Sequence, residues 1–213
     1  MITFPKMNFS NIAIPKLLKA RQLHSRIFAV LAVALVLVSE PAFRETPMLH
    51  MVMRWTGYIL VIIGAFGRIY CSAFIGGRKN DEVVRSGPFS IVRNPLYVFS
   101  FLAVVGIGLE SEMFSFLALL VGVFVLYYPL VVIREEAFLK DRFGAAYETY
   151  LKEVPRWIPK FSLWSEPTQL DSMPKFIRRT AMDAAIFFLP LPCFIFITMA
   201  HAFHYVPVWV ALP

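Results

Sequence analysis

Apolar residues run almost unbroken at 27–38, 51–75, 96–109 and 113–133, separated by polar segments, and a fifth apolar region fills 181–213. Runs near twenty residues have the length at which a helix crosses a bilayer core. The pattern predicts four membrane helices and a fifth apolar segment that either spans once or enters and returns. Pro190, Pro192 and Pro207 interrupt that segment, and each removes a backbone donor. The third run is short, about 21 Å at about 1.5 Å per residue, and must borrow flanking residues or lie deep inside protein. Only Glu110, Ser111 and Glu112 separate it from the fourth, so the two form a tight antiparallel helical hairpin.

Composition fits this pattern. The chain has 213 residues, 58% hydrophobic and 16% charged, and a mean hydropathy of +0.65. That excludes an ordinary soluble domain and leaves no room for a large soluble catalytic domain. The net charge of +7 reads as a determinant of membrane orientation, because no basic run is interleaved with stacking aromatics as nucleic-acid binding requires. Cys71 and Cys193 both lie in apolar sequence, which argues for packing residues and against a disulfide framework or a four-ligand zinc site.

The bases are unevenly distributed. Residues up to 26 carry Lys6, Lys16, Lys19, Arg21 and Arg26 without an acid; 76–94 carry Arg78, Lys79, Arg85 and Arg93; 134–180 carry nine bases. Segment 39–50 has only Arg44, and the Glu110–Glu112 turn has none. Lys and Arg mark cytoplasmic segments, so the leader, the loop before the third run and the long polar segment all face the cytoplasm. The leader resembles a signal peptide, but no small-x-small site follows its apolar stretch, and it is expected to be an uncleaved first span. The chain then divides into 1–80, with the leader and two spans; 81–160, a core; and 161–213, a polar linker and the C-terminal apolar segment.

Two polar pieces thus share one membrane face. In Arg85-Ser86-Gly87-Pro88-Phe89-Ser90-Ile91-Val92-Arg93-Asn94-Pro95-Leu96-Tyr97, Gly87-Pro88 makes a turn and Pro95 suits the first turn of a helix capped by Asn94. Its first N–H groups can meet an anionic group, although any membrane helix can begin this way. Arg134-Glu135-Glu136 closes the fourth run. Adjacent carboxylates there either meet a cationic partner or mark the water boundary, with Glu136 reaching Lys140 at i+4.

Together, "SGPFSIVRNPLY" before the hairpin and "REEAFLKDRFGAAYETYLKEVPRWIP" after it resemble the isoprenylcysteine carboxyl methyltransferase family and the related membrane phospholipid N-methyltransferases, over about 81–159. The resemblance implies an all-α integral membrane enzyme of about five transmembrane helices, with a cytoplasmic cofactor site built around the hairpin. It implies S-adenosylmethionine as methyl donor and a lipid, lipidated or small apolar acceptor. By motif position, Asp81, Glu82, Val83, Val84 and Phe89 border the adenosine. Asn94, Pro95, Leu96 and Tyr97 correspond to the R-H-P-x-Y motif that holds the cofactor, with Arg93 beside them, and Glu135 to the cofactor-binding glutamate. Glu135, Asn94 and Arg156 are the residues expected at the reacting groups. Tyr150, Arg156 and Trp157 either close the site or anchor the chain at the interface.

The chain departs from the family at two places. Asn94 replaces a histidine and cannot titrate near neutrality. Val131 stands where an arginine faces the substrate carboxylate, and Arg134 lies elsewhere on the helix. A sterol-type NADPH reductase has a related core, but its phosphate site needs clustered arginines, and here only Arg78, Lys79 and Arg85 are close in sequence. A non-catalytic membrane protein retaining the fold would also tolerate both departures. His201 and His204 read as interfacial residues sharing a helix face, Arg68 and Arg54 as side chains snorkelling to opposite ends of the second span, and Gly64, Gly67, Gly106 and Gly108 as points of close helix approach.

Overall fold

A computed structural model describes residues 32–42, 46–78, 81–170 and 172–213; the basic leader and the start of the first apolar run lie outside the described residues. The described residues are mostly helical, 72% helix and 3% strand. Residues 32–38 form α1, followed by β1 (Ser39–Pro41), α2 (Pro47–Ile75), the single turn α3 (Pro88–Ile91), α4 (Pro95–Glu110), α5 (Phe114–Phe143), α6 (Ala145–Glu153), α7 (Pro174–Ala185), α8 (Pro190–Ala202) and β2 (Val210–Leu212). Among the described residues, three helical stretches are long and apolar enough to cross a membrane, Pro47–Ile75, Phe114–Phe143 and Pro174–Ala202, while Pro95–Glu110 is shorter. The chain is an integral membrane protein. Large side chains on α5 such as Leu126 and Leu130 are exposed, as expected of a lipid-facing surface.

α2 and α4 pack most closely, and small residues permit it. A Cβ on Gly57 would lie 2.7 Å from the Gly106 carbonyl oxygen, and one on Gly64 would lie 2.6 Å from the Phe99 carbonyl oxygen and 2.7 Å from the Ala103 Cβ. Gly108 lies instead against Leu117 at the start of α5. The expected hairpin is present: α4 ends at Glu110, α5 starts at Phe114, and Ser111 holds the turn by donating to the Gly108 carbonyl (2.7 Å) and accepting the Met113 N–H (3.3 Å).

The C-terminal region traverses the bundle once. At its start, Phe176 and Met173 pack against Gly76 and Gly77 at the end of α2. At its finish, His201 Nε2 lies 2.8 Å from the Leu37 carbonyl. A 3₁₀ turn, Ile186–Phe188, precedes α8, so Pro190 and Pro192 occupy the start of α8, where their missing N–H groups break no helical bond. β2 then pairs in parallel with β1, Ser39 opposite Val210, an element not foreseen in the sequence. His204 lies past the end of α8 at φ 60° rather than sharing its face with His201. Cys71 is buried as a packing residue, whereas Cys193 is exposed on α8.

The loop charges at the hairpin turn are not simply solvated. Glu110 is 2% exposed, with Arg54 Nε 4.0 Å away. Glu112 pairs with Arg54 and lies 2.9 Å from His50 Nδ1. Arg54 thus ends at this pole, where its snorkelling was expected to take it. Arg68, near the opposite end of α2, donates to the Ser100 hydroxyl, reaches the Leu96 carbonyl at 3.5 Å and lies under the Phe187 ring. It ties α2 to α4 and to the C-terminal traverse.

Candidate functional site

The two polar motifs meet at the end of the bundle opposite Glu110. They meet because residues 155–165 lie along 87–93 and exchange backbone bonds with them: the Arg93 N–H donates to the Pro155 carbonyl (2.9 Å), Lys160 N–H to Ile91 (2.9 Å) and Gly87 N–H to Ser165 (2.7 Å). Gly87 has φ +58°, which starts α3 and leaves no space for a side chain beside the Phe74 ring. α6 completes the arrangement, since the buried Tyr150 hydroxyl donates to the Phe89 carbonyl at 2.7 Å. The packed unit therefore continues past residue 160, as far as Ser165.

One cavity at this end is lined by Glu82, Val83, Val84, Phe89, Arg93, Asn94, Pro95, Leu96, Tyr97 and Glu135, all singled out in the sequence. Asp81 is not on its wall. Ile75, Leu139, Phe143, Tyr147 and Tyr150 complete the lining. Leu139 and Phe143 follow Glu135 at four and eight residues, so the helical period of α5 was the signal that could have found them. Tyr150, one of the alternatives for closing the site, forms part of the wall; Trp157 does not.

The side chains form two sets. In the first, Tyr97 donates its hydroxyl to Glu135 Oε2 at 3.0 Å, joining α4 to α5. The Tyr97 ring meets Tyr128 edge-on at 5.4 Å, and Tyr128 stacks on Phe124 at 4.0 Å, so an aromatic column extends from this pair into the hairpin. In the second set, Glu136 is 5% exposed and receives Arg156 through Nε at 3.1 and 3.2 Å and through Nη2 at 2.7 Å. Arg93 Nη1 lies 3.6 Å from the same carboxylate, and Asn94 Nδ2 donates to Glu136 Oε1 at 3.3 Å and to the Arg156 carbonyl at 3.4 Å.

Several expectations change at this point. Glu136 does not reach Lys140 on a wet helix face; Lys140 pairs with Glu148 at 3.0 Å. Arg156 is absent from the cavity lining because its guanidinium holds Glu136. Asn94 occupies the cap position of α4, but its side chain makes no capping bond because its amide protons go to Glu136 and the Arg156 carbonyl. Pro95 has no N–H, and the Tyr97 and Val98 N–H groups bond the Asn94 carbonyl. Charged side chains, more than open helix amides, therefore face an incoming anion.

The electrostatics favour a zwitterionic ligand. Arg156 already grips Glu136 in bidentate fashion, so Arg93 brings positive charge beyond what Glu136 neutralises. Its Nε is buried and has no hydrogen-bond partner among the described residues. Burial, with the nearby Glu136 charge, pushes the Tyr147 hydroxyl up to about 12, and burial raises Tyr150 as well. Both remain protonated near neutrality and serve as donors and walls, not bases. Among the described residues, no group of three His, Cys, Asp or Glu side chains is placed to hold a metal ion.

A family model of phospholipid methyltransferases matches residues 46–146. The nickel-cobalt-cadmium resistance protein NccN of Alcaligenes xylosoxydans xylosoxydans is 35% identical over 159 residues, 74% of this chain and 73% of that protein. The cobalt-zinc-cadmium resistance protein CzcN of Cupriavidus metallidurans is 38% identical over 108 residues, 51% of this chain and 50% of that protein. No solved structure matches.

Proposed function

The chain belongs to the phospholipid methyltransferase family, and we propose that it transfers a methyl group from S-adenosylmethionine to a lipid, lipidated or small apolar acceptor. The main support is the cavity that gathers Glu135, Tyr97, Arg93 and Phe89 from two motifs some forty residues apart. The residues fit that cofactor in kind. A carboxylate suits its cationic groups, an arginine with a buried orphaned Nε suits its carboxylate, and Phe89, Tyr147 and Tyr150 offer aromatic surface to its adenine.

When bound, S-adenosylmethionine supplies an electrophilic methyl on a sulfonium. The protein's task is then to position the reactants and exclude water. Glu135, held by Tyr97, is the counter-charge, and Arg93, kept beside Glu136, is the carboxylate ligand. Val84, Leu96, Leu139 and Phe143 form an apolar wall. With Val131 in place of an arginine, a substrate carboxylate finds no partner at that position, which favours an apolar acceptor bearing a neutral amine, thiol or hydroxyl.

We also infer that this end faces the cytoplasm of a multi-pass inner-membrane protein, because the bases of 76–94 and 134–180 flank it. The two relatives are named for metal resistance; a part played by this chain in such resistance runs, on this reading, through its methylated product. The test is to incubate purified protein with methyl-labelled S-adenosylmethionine and a total membrane extract. Label in a lipid or apolar fraction is expected; a protein that binds the cofactor and labels nothing contradicts the proposal.

A further inference from the structure

A second cavity, of about 330 Å³, lies at the opposite pole, where α1, β1, α2, the Glu110–Glu112 turn and α8 all contribute to its wall. Its polar groups do not satisfy one another. Glu110 is 2% exposed, and neither carboxylate oxygen accepts a hydrogen bond among the described residues. Arg54 Nε, itself buried and unpartnered, lies 4.0 Å from Oε1, too far for a hydrogen bond, and the guanidinium is committed to Glu112 through Nη2. The Tyr58 hydroxyl is the other donor close to Glu110, also short of hydrogen-bond geometry.

Two further acceptors share the wall. Ser39 is equally buried, and its hydroxyl has no partner among the described residues. His201 Nε2 lies 2.8 Å from the Leu37 carbonyl, which can only accept, so Nε2 carries the proton of the neutral ring and Nδ1 is left as an acceptor. Arg54 is one permanent cation for the two carboxylates Glu110 and Glu112; His50, 2.9 Å from Glu112, adds charge only when protonated. A buried carboxylate without donors is costly, and its place on a cavity wall calls for a cation from outside the fold.

We infer that this cavity binds a small primary ammonium ion carried on an apolar body, with Glu110 as counter-charge and Ser39 Oγ and His201 Nδ1 as further acceptors. A primary ammonium has three N–H donors, one for each of these groups. Met113, Phe194 and Ile197 offer apolar wall to the rest of the molecule. A metal ion fits less well. It draws its ligands to about 2.0–2.2 Å from one point, and among the described residues no three His, Cys, Asp or Glu side chains are so placed. The volume is also that of a small organic ligand rather than one ion. Because α1, α8 and the hairpin turn all line the cavity, an occupant ties them together. The site stands apart from the methyl-transfer cavity and does not depend on that reading.

The experiment uses the full chain in nonionic detergent at neutral pH, titrated calorimetrically with hexylammonium, hexyltrimethylammonium, hexanol and zinc ion. Hexylammonium is expected to bind and to raise the melting temperature with concentration. Hexanol, which lacks the charge, and hexyltrimethylammonium, which lacks the N–H donors, should each bind at least about tenfold more weakly. Glu110→Gln should weaken hexylammonium about ten- to a hundredfold, and Ser39→Ala about three- to tenfold. Glu135→Gln should leave it unchanged, which separates this cavity from the carboxylate of the other. Any of four results would overturn the assignment: hexanol matching hexylammonium, a sign of apolar partition; hexyltrimethylammonium matching it, a sign of charge alone; no heat with hexylammonium but zinc binding that Glu110→Gln abolishes, the mark of a metal site; or unchanged hexylammonium affinity in Glu110→Gln. If Glu110→Gln does not fold, the wild-type ranking and Ser39→Ala decide. Cofactor binding is titrated separately, so failure of either site is read on its own.

Discussion

Glu135 and Glu136 stand one residue apart on α5, about 100° around the helix from each other, so one lines the cavity while the other turns to Arg156 and the loop beyond α6. Removing the Glu136 charge leaves Arg156 and Arg93 close together without their counter-ion. A fully buried pair broken in this way costs about 3–5 kcal/mol; Arg156 is 40% exposed, which reduces the figure to about 2 kcal/mol. Glu136→Gln should therefore lower thermal stability measurably, with any change in cofactor affinity following from Asn94 and Arg93. Tyr147 adds a pH effect. A phenol held at about 12 when folded and near 10 when unfolded binds its proton more tightly in the native state. Its contribution is complete below pH 10 and is lost as pH rises towards 12. Tyr147→Phe should flatten the fall in stability over that window, as thermal melts at stepped pH would reveal.

At the scale of elements, the glycines of α2 and α4 set the helix spacing. Gly64→Ala places a methyl 2.6–2.7 Å from Phe99 and Ala103, so the helices must separate, at a cost of about 1–3 kcal/mol. Gly122→Ala on α5 meets nothing within 4 Å and should be neutral or slightly stabilising through helix propensity. Equal melting temperatures for the two variants would refute the packing. These contacts were legible because small residues in apolar helices have few other uses. Glu136 was harder to read: Lys140 at i+4 offers the same local pattern as a solvated pair, and only residues twenty positions further on decide between the readings. The Arg54, Glu110 and Glu112 cluster was hidden for the same reason, since its partners are nearly sixty residues apart.

Across the whole molecule, the hairpin and the two flanking motifs could be read because apolar length and motif order are local properties. What brought them together could not: the 155–165 strap bonds through its backbone, which leaves little trace in side-chain identity. The β1–β2 pair, three residues on each side, gave no period to detect. Orientation can be tested directly. In a Cys71→Ser, Cys193→Ser background, cysteines at Arg78 and Lys160 should react with a membrane-impermeant reagent only when the cytoplasmic face is open, and one at Trp209 only from outside. Labelling of Lys160 and Trp209 from the same side would contradict the single C-terminal traverse.

Glu135, Tyr97 and Arg93 are proposed to form a site for S-adenosylmethionine, and titration calorimetry of the purified protein with that cofactor tests this most directly. Wild type is expected to bind at one site per chain and a folded Glu135→Gln variant to bind about ten- to a hundredfold more weakly, the worth of one charge-assisted bond of about 1.5–3 kcal/mol. No heat with wild type, or equal affinity in the Glu135→Gln variant, would contradict it.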